Sequence, residues 1–458
     1  MDEPPRTLAD LLAERVRESG EAIAYRYREF AGAARTVNYR EFGERVQSFA
    51  LGLTSLGLGR SSRICIIGGS GLEWTIADLG AIVAGGVTVG LDAGSDPTEL
   101  TAIVERLGCE LAVCGTRGSV EPLAQLAGGS SQLKRVVGWG RAASVPGVLP
   151  FGQVCLMGNE LEARDSKLPA QLFAAPSPHD PALILLDPGA DPFRAVVLSH
   201  RNCCFSVANL ARVLGTGQSD ESVSHLPMHD PVERLFGTFL RLETGMATHI
   251  LGEEPLIDAL MATRPTVYLG TPATLQCLKD QWVQRVLETF PWKSRVLSRG
   301  QKVGAELARH RARQQAPSPL LRAKGMLFDR LVLAGARECL GGRLRTVVTT
   351  FGPAPVDLLG FYEAFGLRTV EGWGTRECTG LCTLSPMDLP CPGSVGRPVP
   401  GVEVAVFSER RLRTRGPHVC LGLLGGDGGT VSACDDDGWL TVHDDARMDT
   451  HGCTWLSQ

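Results

Sequence analysis

The segment from Leu185 to His200 holds the residues of this chain best placed to do chemistry. An apolar run from Ala182 to Leu186 reads as a buried strand, and Pro188 and Gly189 then turn the chain. A second apolar run ends at Ser199, which reads as a helix N-cap. Backbone amides in such a turn, beside a helix start, are how a fold presents positive dipoles to an anion. The loop's own charges work against that use. Asp187 and Asp191 are carboxylates, and Arg194 is the one cation. A carboxylate about 4 Å from a phosphate costs on the order of a few kcal/mol at an effective dielectric near 20. Two of them outweigh what a single arginine supplies, unless they hold an extra metal ion. The alternative is a loop that merely closes the turn.

The elements that must position this loop are legible from hydrophobic period. Leu8 to Val16 has helical spacing, Ala22 to Tyr27 and Thr36 to Tyr39 read as strands, and Glu41 to Leu53 repeats apolar residues at three and four. Arg63 to Ile67, Val87 to Leu91 and Leu111 to Cys114 read as strands. They alternate with helices over Leu72 to Ala84 and Pro97 to Leu107, which argues for a parallel sheet with right-handed crossovers. The glycines at 68, 69 and 71 fit a tight strand-to-helix turn better than a dinucleotide fingerprint, because Trp74 stands where the third glycine would be. Residues 116 to about 180, rich in Gly, Ser and Pro, read as a variable surface region. The expected division is an N-terminal α/β unit over 1–180, a second α/β unit over 181–390 with Val267 to Gly270 and Leu344 to Thr349 as strands, and a small β-rich unit over 391–458.

Composition bounds the function class. Of 458 residues, 43% are hydrophobic and 21% charged, an ordinary globular balance with ample chain for a core. A net charge of −4, with no basic run interleaved with aromatics, argues against nucleic acid as a partner. The N-terminus has no basic, apolar signal, and no window reaches the roughly 18 apolar residues of a membrane span. The expectation is a cytoplasmic protein, with peripheral membrane contact left open. Most of the fourteen cysteines are scattered singly, with no C-x-x-C pair, and read as reduced thiols in apolar packing. Cys378 and Cys382 share a helical spacing of four, but without a second pair the spacing does not point to a metal.

Nine motifs in order resemble the adenylate-forming synthetases, and within them the long-chain fatty acyl-CoA synthetases. They are Asn38–Phe42, Gly71–Trp74 through Gly90, Ala195–His200, His225–His229 with Glu233 and Arg234, Arg264–Pro272, Gly341–Arg345, Glu371-Gly372-Trp373-Gly374-Thr375-Arg376-Glu377, Gly393–Pro398 with Pro400–Val404, and Asp437–Leu440 with Asp444. The resemblance implies a large domain of two α/β subdomains, each a mostly parallel sheet flanked by helices, plus the small β-rich unit. It implies ATP, Mg²⁺ and coenzyme A as cofactors, and a fatty acid as substrate, activated through an acyl-adenylate to its CoA thioester.

Residue by residue, the resemblance implies that Arg194 and Arg376 hold phosphates and that Glu377 binds Mg²⁺. Trp373 stacks on adenine, with Gly189, Gly374 and Gly352 as backbone close to the nucleotide, and Asp444 binds ribose. His200 and His229 are expected near the acyl chain, each with a packed, hydrogen-bonded histidine as the alternative. Glu233 and Arg234 are expected to pair on a helix face. The departures are as informative. The loop's family hydroxyls fall on Leu186, Asp187, Gly189 and Ala190, the phosphate-contacting threonine falls on Arg376, and Phe351 crowds the adenine pocket. The chain ends near the family's hinge, so the C-terminal lid domain is expected to be absent. Two functions stay open: an ATP-dependent acyl-CoA synthetase, or a weak or inactive homologue that binds an acyl chain or nucleotide or regulates a partner synthetase.

Overall fold

In the computed structural model the described residues are 6–28, 34–129, 132–187, 194–252, 254–289, 294–312, 315–350, 354–385, 394–407, 410–426 and 428–456. The largest sheet has nine strands. Its order is Thr430–Val431, Gly422–Leu424, Arg194–Ser199, Pro181–Asp187, Val87–Leu91, Arg63–Ile67, Leu111–Cys114, Arg135–Gly138 and Leu149–Pro150. The strands from Pro181–Asp187 to Leu149–Pro150 run parallel, and the other end is an antiparallel extension. The strands read as continuous apolar runs because both faces are covered. Ile64 and Ile66 join one core while Cys65 and Ile67 join the other, the period-two alternation of a strand made visible.

A second sheet carries Val267–Gly270, Thr346–Thr349 and Arg368–Trp373 in parallel, with two short antiparallel strands at its edge. A third joins Glu221–Ser224, Ala247–Ile250 and Ile23–Arg28 in parallel, with Ala34–Asn38 antiparallel at its end. The fourth, antiparallel throughout, is Glu403–Val406, Arg411–Arg415, Leu440–Met448 and Thr454–Leu456.

The expected division at 180 falls inside the nine-stranded sheet, where Pro181–Asp187 pairs with Val87–Leu91. Gly422–Leu424, from the C-terminal stretch, pairs in the same sheet with Arg194–Ser199. Hydrophobic period reports which segments form strands but not which strands pair.

The stretch expected as variable surface is largely regular. Its helix Phe151–Arg164 lies against Tyr39–Ser55 at a glycine-to-glycine crossing. A Cβ at Gly158 would sit 1.9 Å from Ser48 O, and one at Gly52 would sit 2.1 Å from Val154 O. Gly158, which looked like loop composition, and Gly52 are what lets the two helix backbones touch. Cys453 departs from the expected reduced state, being disulfide-bonded.

Candidate functional site

Asp187 ends one strand of a hairpin and Arg194 begins the other, and the two are register partners. Ser199 caps the next helix as expected: Asn202 N donates to Ser199 Oγ at 3.1 Å, and Ser199 N donates to Asn202 Oδ1 at 2.8 Å. Residues 188–193, including Gly189 and Asp191, lie outside the described residues, as do Phe351 and Gly352.

Opposite the hairpin, the strand Arg368–Trp373 ends in a tight turn and the single 3₁₀ turn Arg376–Cys378. This turn folds back on itself, since a Cβ at Gly374 would lie 2.4 Å from Gly380 C. Gly380 N donates to Thr375 O at 2.9 Å, and Thr379 adopts φ 51°. A β-branched residue in the left-handed region carries strain of about 1–3 kcal/mol, held here by the surrounding packing.

The turn places Arg376 and Glu377 against the hairpin in two crossing ion pairs. Arg194 Nη2 lies 2.9 Å from Glu377 Oε1, and Arg376 Nη1 lies 3.6 Å from Asp187 Oδ1. Arg194, Arg376 and Glu377, expected to meet phosphate or metal, therefore each face a partner from this chain. Two cations and two carboxylates cancel. Asp187, expected to work against phosphate, has Arg376 as its ion-pair partner.

Other expected residues find different surroundings. Trp373, only 3% exposed, packs among Cys378, Cys382, Val395 and Leu412. His200, 1% exposed, accepts a hydrogen bond at Nδ1 from Leu8 N at 3.1 Å. Burial, against the pull of Asp180 and Asp10, lowers its pKa to about 4. This is the packed, hydrogen-bonded alternative. His229 is half-buried, pressed on the sheet where a Cβ at Gly90 would come 2.9 Å from its Cα. Asp444 lies on the strand Leu440–Met448.

Glu233 and Arg234 do not pair with each other. They occupy a π-helical turn, Glu233–Phe239, that sends them apart. Arg234 makes a buried fork with Asp78, at 2.6 and 3.1 Å, and also contacts Thr88 Oγ1. Glu233 accepts from Leu226 N at 3.2 Å and His225 N at 3.3 Å, and burial pushes its carboxyl up to about 7.

Two further acids lie in this region, Asp230 and Glu371, the second of which opens a motif but was assigned no role of its own. Asp230 is raised by burial, against the pull of its hydrogen bond from Val232 N and of nearby His229 and Arg376, so it adds a carboxyl on the Arg376 side. Its only cue was its place directly after His229. Glu371 is buried, accepts from Ala354 N at 2.6 Å and is pushed up to about 7 by burial.

A large domain of interlocked parallel sheets, closed by a small antiparallel unit and carrying this strand–turn site, is the N-terminal domain architecture of adenylate-forming enzymes. A long-chain-fatty-acid-CoA ligase from Archaeoglobus fulgidus superposes with a TM-score of 0.74 at 16% identity, covering 100% of this chain and 85% of that one. The N-terminal domain of FACL13 from Mycobacterium tuberculosis gives 0.69 at 15%, covering 99% and 100%. The sequence model for the AMP-binding enzymes matches residues 12–424, and the chain belongs to that family. Among curated relatives, the long-chain-fatty-acid–CoA ligase ACSBG2 of Xenopus laevis is 23% identical over 99% of this chain and 63% of its own length. FadD15 of Mycobacterium tuberculosis is 25% identical over 97% and 73%. The chain thus spans less than two thirds of the first of these and under three quarters of the second.

Family enzymes use ATP, Mg²⁺ and coenzyme A. As arranged, the charged residues of the site are engaged with one another. Glu377, the oxygen donor for a hard cation, is 9% exposed and held by a guanidinium, and Arg376 lies beside the Asp187 carboxylate.

Proposed function

We propose that this chain is an acyl-CoA synthetase-like protein directed at fatty acids, whose adenylation step is attenuated by its own charges. The crossed pairs Arg194–Glu377 and Asp187–Arg376 carry this reading. Partly exposed ion pairs are worth about 0.2–1 kcal/mol each, so opening both costs a triphosphate no more than roughly thirtyfold in affinity. The lasting penalty is the Asp187 carboxylate, which stays beside the phosphates after the pairs open. The fatty-acid assignment rests on the ordered motifs and on the names of the relatives.

Pyrophosphate exchange over short-, medium- and long-chain fatty acids tests the proposal. Exchange near background is expected. Turnover in the ordinary enzyme range, about 1–10³ s⁻¹, would overturn it.

No helix among the described residues is long and apolar enough to cross a membrane. For the source of the acyl chain, we propose that the helices Ser294–Ala312 and Pro319–Phe328 rest on an anionic lipid surface. Leu320 and Met326 are 66% and 69% exposed, with Leu327 and Lys324 beside them. Arg295, Arg299, Lys302, Arg309 and Arg322 are exposed on the same pair of helices, with Glu306 the one exposed acid among them, a net positive balance on a chain of net charge −4. Apolar side chains flanked by cations are what an acidic headgroup layer binds.

A further inference from the structure

Directly after Glu377 the chain assembles a group of side chains that nucleotide chemistry does not use. Cys378 and Cys382 are fully buried thiols, and His418, also fully buried, comes from the turn after the strand Arg411–Arg415. The two sulfurs and a His418 ring nitrogen lie within 4.8 Å of one another. The left-handed pair Thr379 and Gly380, at φ 51° and 73°, curls the chain so that sulfurs four residues apart converge. Thr379 Oγ1 donates to His418 O at 2.7 Å, locking this turn to the histidine's segment. Gly416, at φ 149°, leaves room for the ring, because a Cβ there would lie 3.2 Å from His418 Nδ1.

The histidine's hydrogen bonds favour one tautomer. Thr414 Oγ1 donates to Glu403 O at 3.0 Å, so at its 2.8 Å contact with His418 Nε2 the hydroxyl accepts. In that arrangement Nε2 carries the proton and Nδ1 keeps a bare lone pair. Among the described residues that buried Nδ1 has no partner by hydrogen-bond geometry, while the Cys378 thiol is close enough to interact with the ring. A ring nitrogen held by an outer acceptor, with the other nitrogen bare beside two thiols, is the arrangement of a metal-ligating imidazole and its supporting shell.

We propose that Cys378, Cys382 and His418 form a zinc site. Two thiolates and an imidazole suit zinc, whereas Mg²⁺ and Ca²⁺ need oxygen donors. Zn–S near 2.3 Å and Zn–N near 2.0–2.1 Å set ligand separations of about 3.5–3.8 Å, a small contraction of the observed group. The ion would staple the turn bearing Arg376 and Glu377 to the antiparallel unit that contributes His418. The sequence spacing alone did not point to this site, because its third ligand stands thirty-six residues beyond Cys382 and arrives only through the fold.

The test is a cobalt titration of the chelator-treated chain, shown by circular dichroism to be folded. A thiolate-to-cobalt charge-transfer band saturating near one equivalent, and bleached by zinc, is expected. In Cys378→Ser/Cys382→Ser the band should vanish, and Thr414→Val should weaken binding about 10–100-fold by freeing the ring. A folded wild-type chain that gives no band would overturn the proposal, leaving core thiols only. A band unchanged in the double variant would overturn it equally, by assigning the ion to other cysteines.

Discussion

At the scale of single residues, Asp187 carries the most consequence. It stands within ion-pair distance of Arg376 while Arg194 is drawn to Glu377. Asp187→Ser is expected to release Arg376 and remove the carboxylate, raising MgATP affinity about tenfold or more in calorimetry. An unchanged affinity would remove the electrostatic basis of the attenuation. Glu371 offers a pH-dependent check. Burial pushes its carboxyl up to about 7, so the fold favours the protonated form. That stability is fully present below the unfolded value near 4.5 and is lost as pH rises towards 7. Glu371→Gln keeps an acceptor for Ala354 N and cannot ionise. Relative to wild type it should gain stability between pH 4.5 and pH 8, by up to about 3 kcal/mol, read as a widening gap in Tm. A constant gap would mean Glu371 does not titrate in this range.

At the scale of elements, two contacts carry predictions. The crossing of Tyr39–Ser55 with Phe151–Arg164 depends on glycine at the point of contact. Gly158→Ala drives a methyl to 1.9 Å from Ser48 O. It should cost about 1–3 kcal/mol or more, as overpacking does, and lower the urea midpoint without a change in m. The helix Pro319–Phe328 makes a different prediction. Replacing Leu320, Met326 and Leu327 with Gln should abolish sedimentation with vesicles containing anionic lipid while leaving the Tm near wild type, because all three are exposed. Wild-type protein that ignores such vesicles at low salt would refute the docking face.

At the scale of the whole molecule, the expected units are interlocked. Pro181–Asp187, Arg194–Ser199 and Gly422–Leu424 all complete the sheet begun by Arg63–Ile67, and Ile23–Arg28 pairs with Ala247–Ile250. A fragment of residues 1–180 would expose the edge of Val87–Leu91 and lose about half of the larger core cluster, so it is expected to remain unfolded or to aggregate. A cooperative thermal transition in that fragment would contradict the interlocking. Arg234 ties Asp78 to the π-helical turn from the opposite half of the chain, with side chains 1% and 0% exposed. Arg234→Met strands a buried carboxylate and should cost about 3–5 kcal/mol.

The sequence by itself determined the elements, because strand and helix periods are local: Val87 to Leu91 and Leu111 to Cys114 fall where read, and Ser199 caps its helix. It also determined the family, because ordered motifs survive at low identity. Pairing was decided only by the tertiary structure. Arg234 turned from its neighbour Glu233 to Asp78, Asp187 engaged Arg376, Trp373 entered a core, and His418 joined Cys378 and Cys382. Each is a contact between residues far apart in the chain or facing apart within it, and side-chain charge and polarity carry no record of which distant partner the packed backbone will bring within reach.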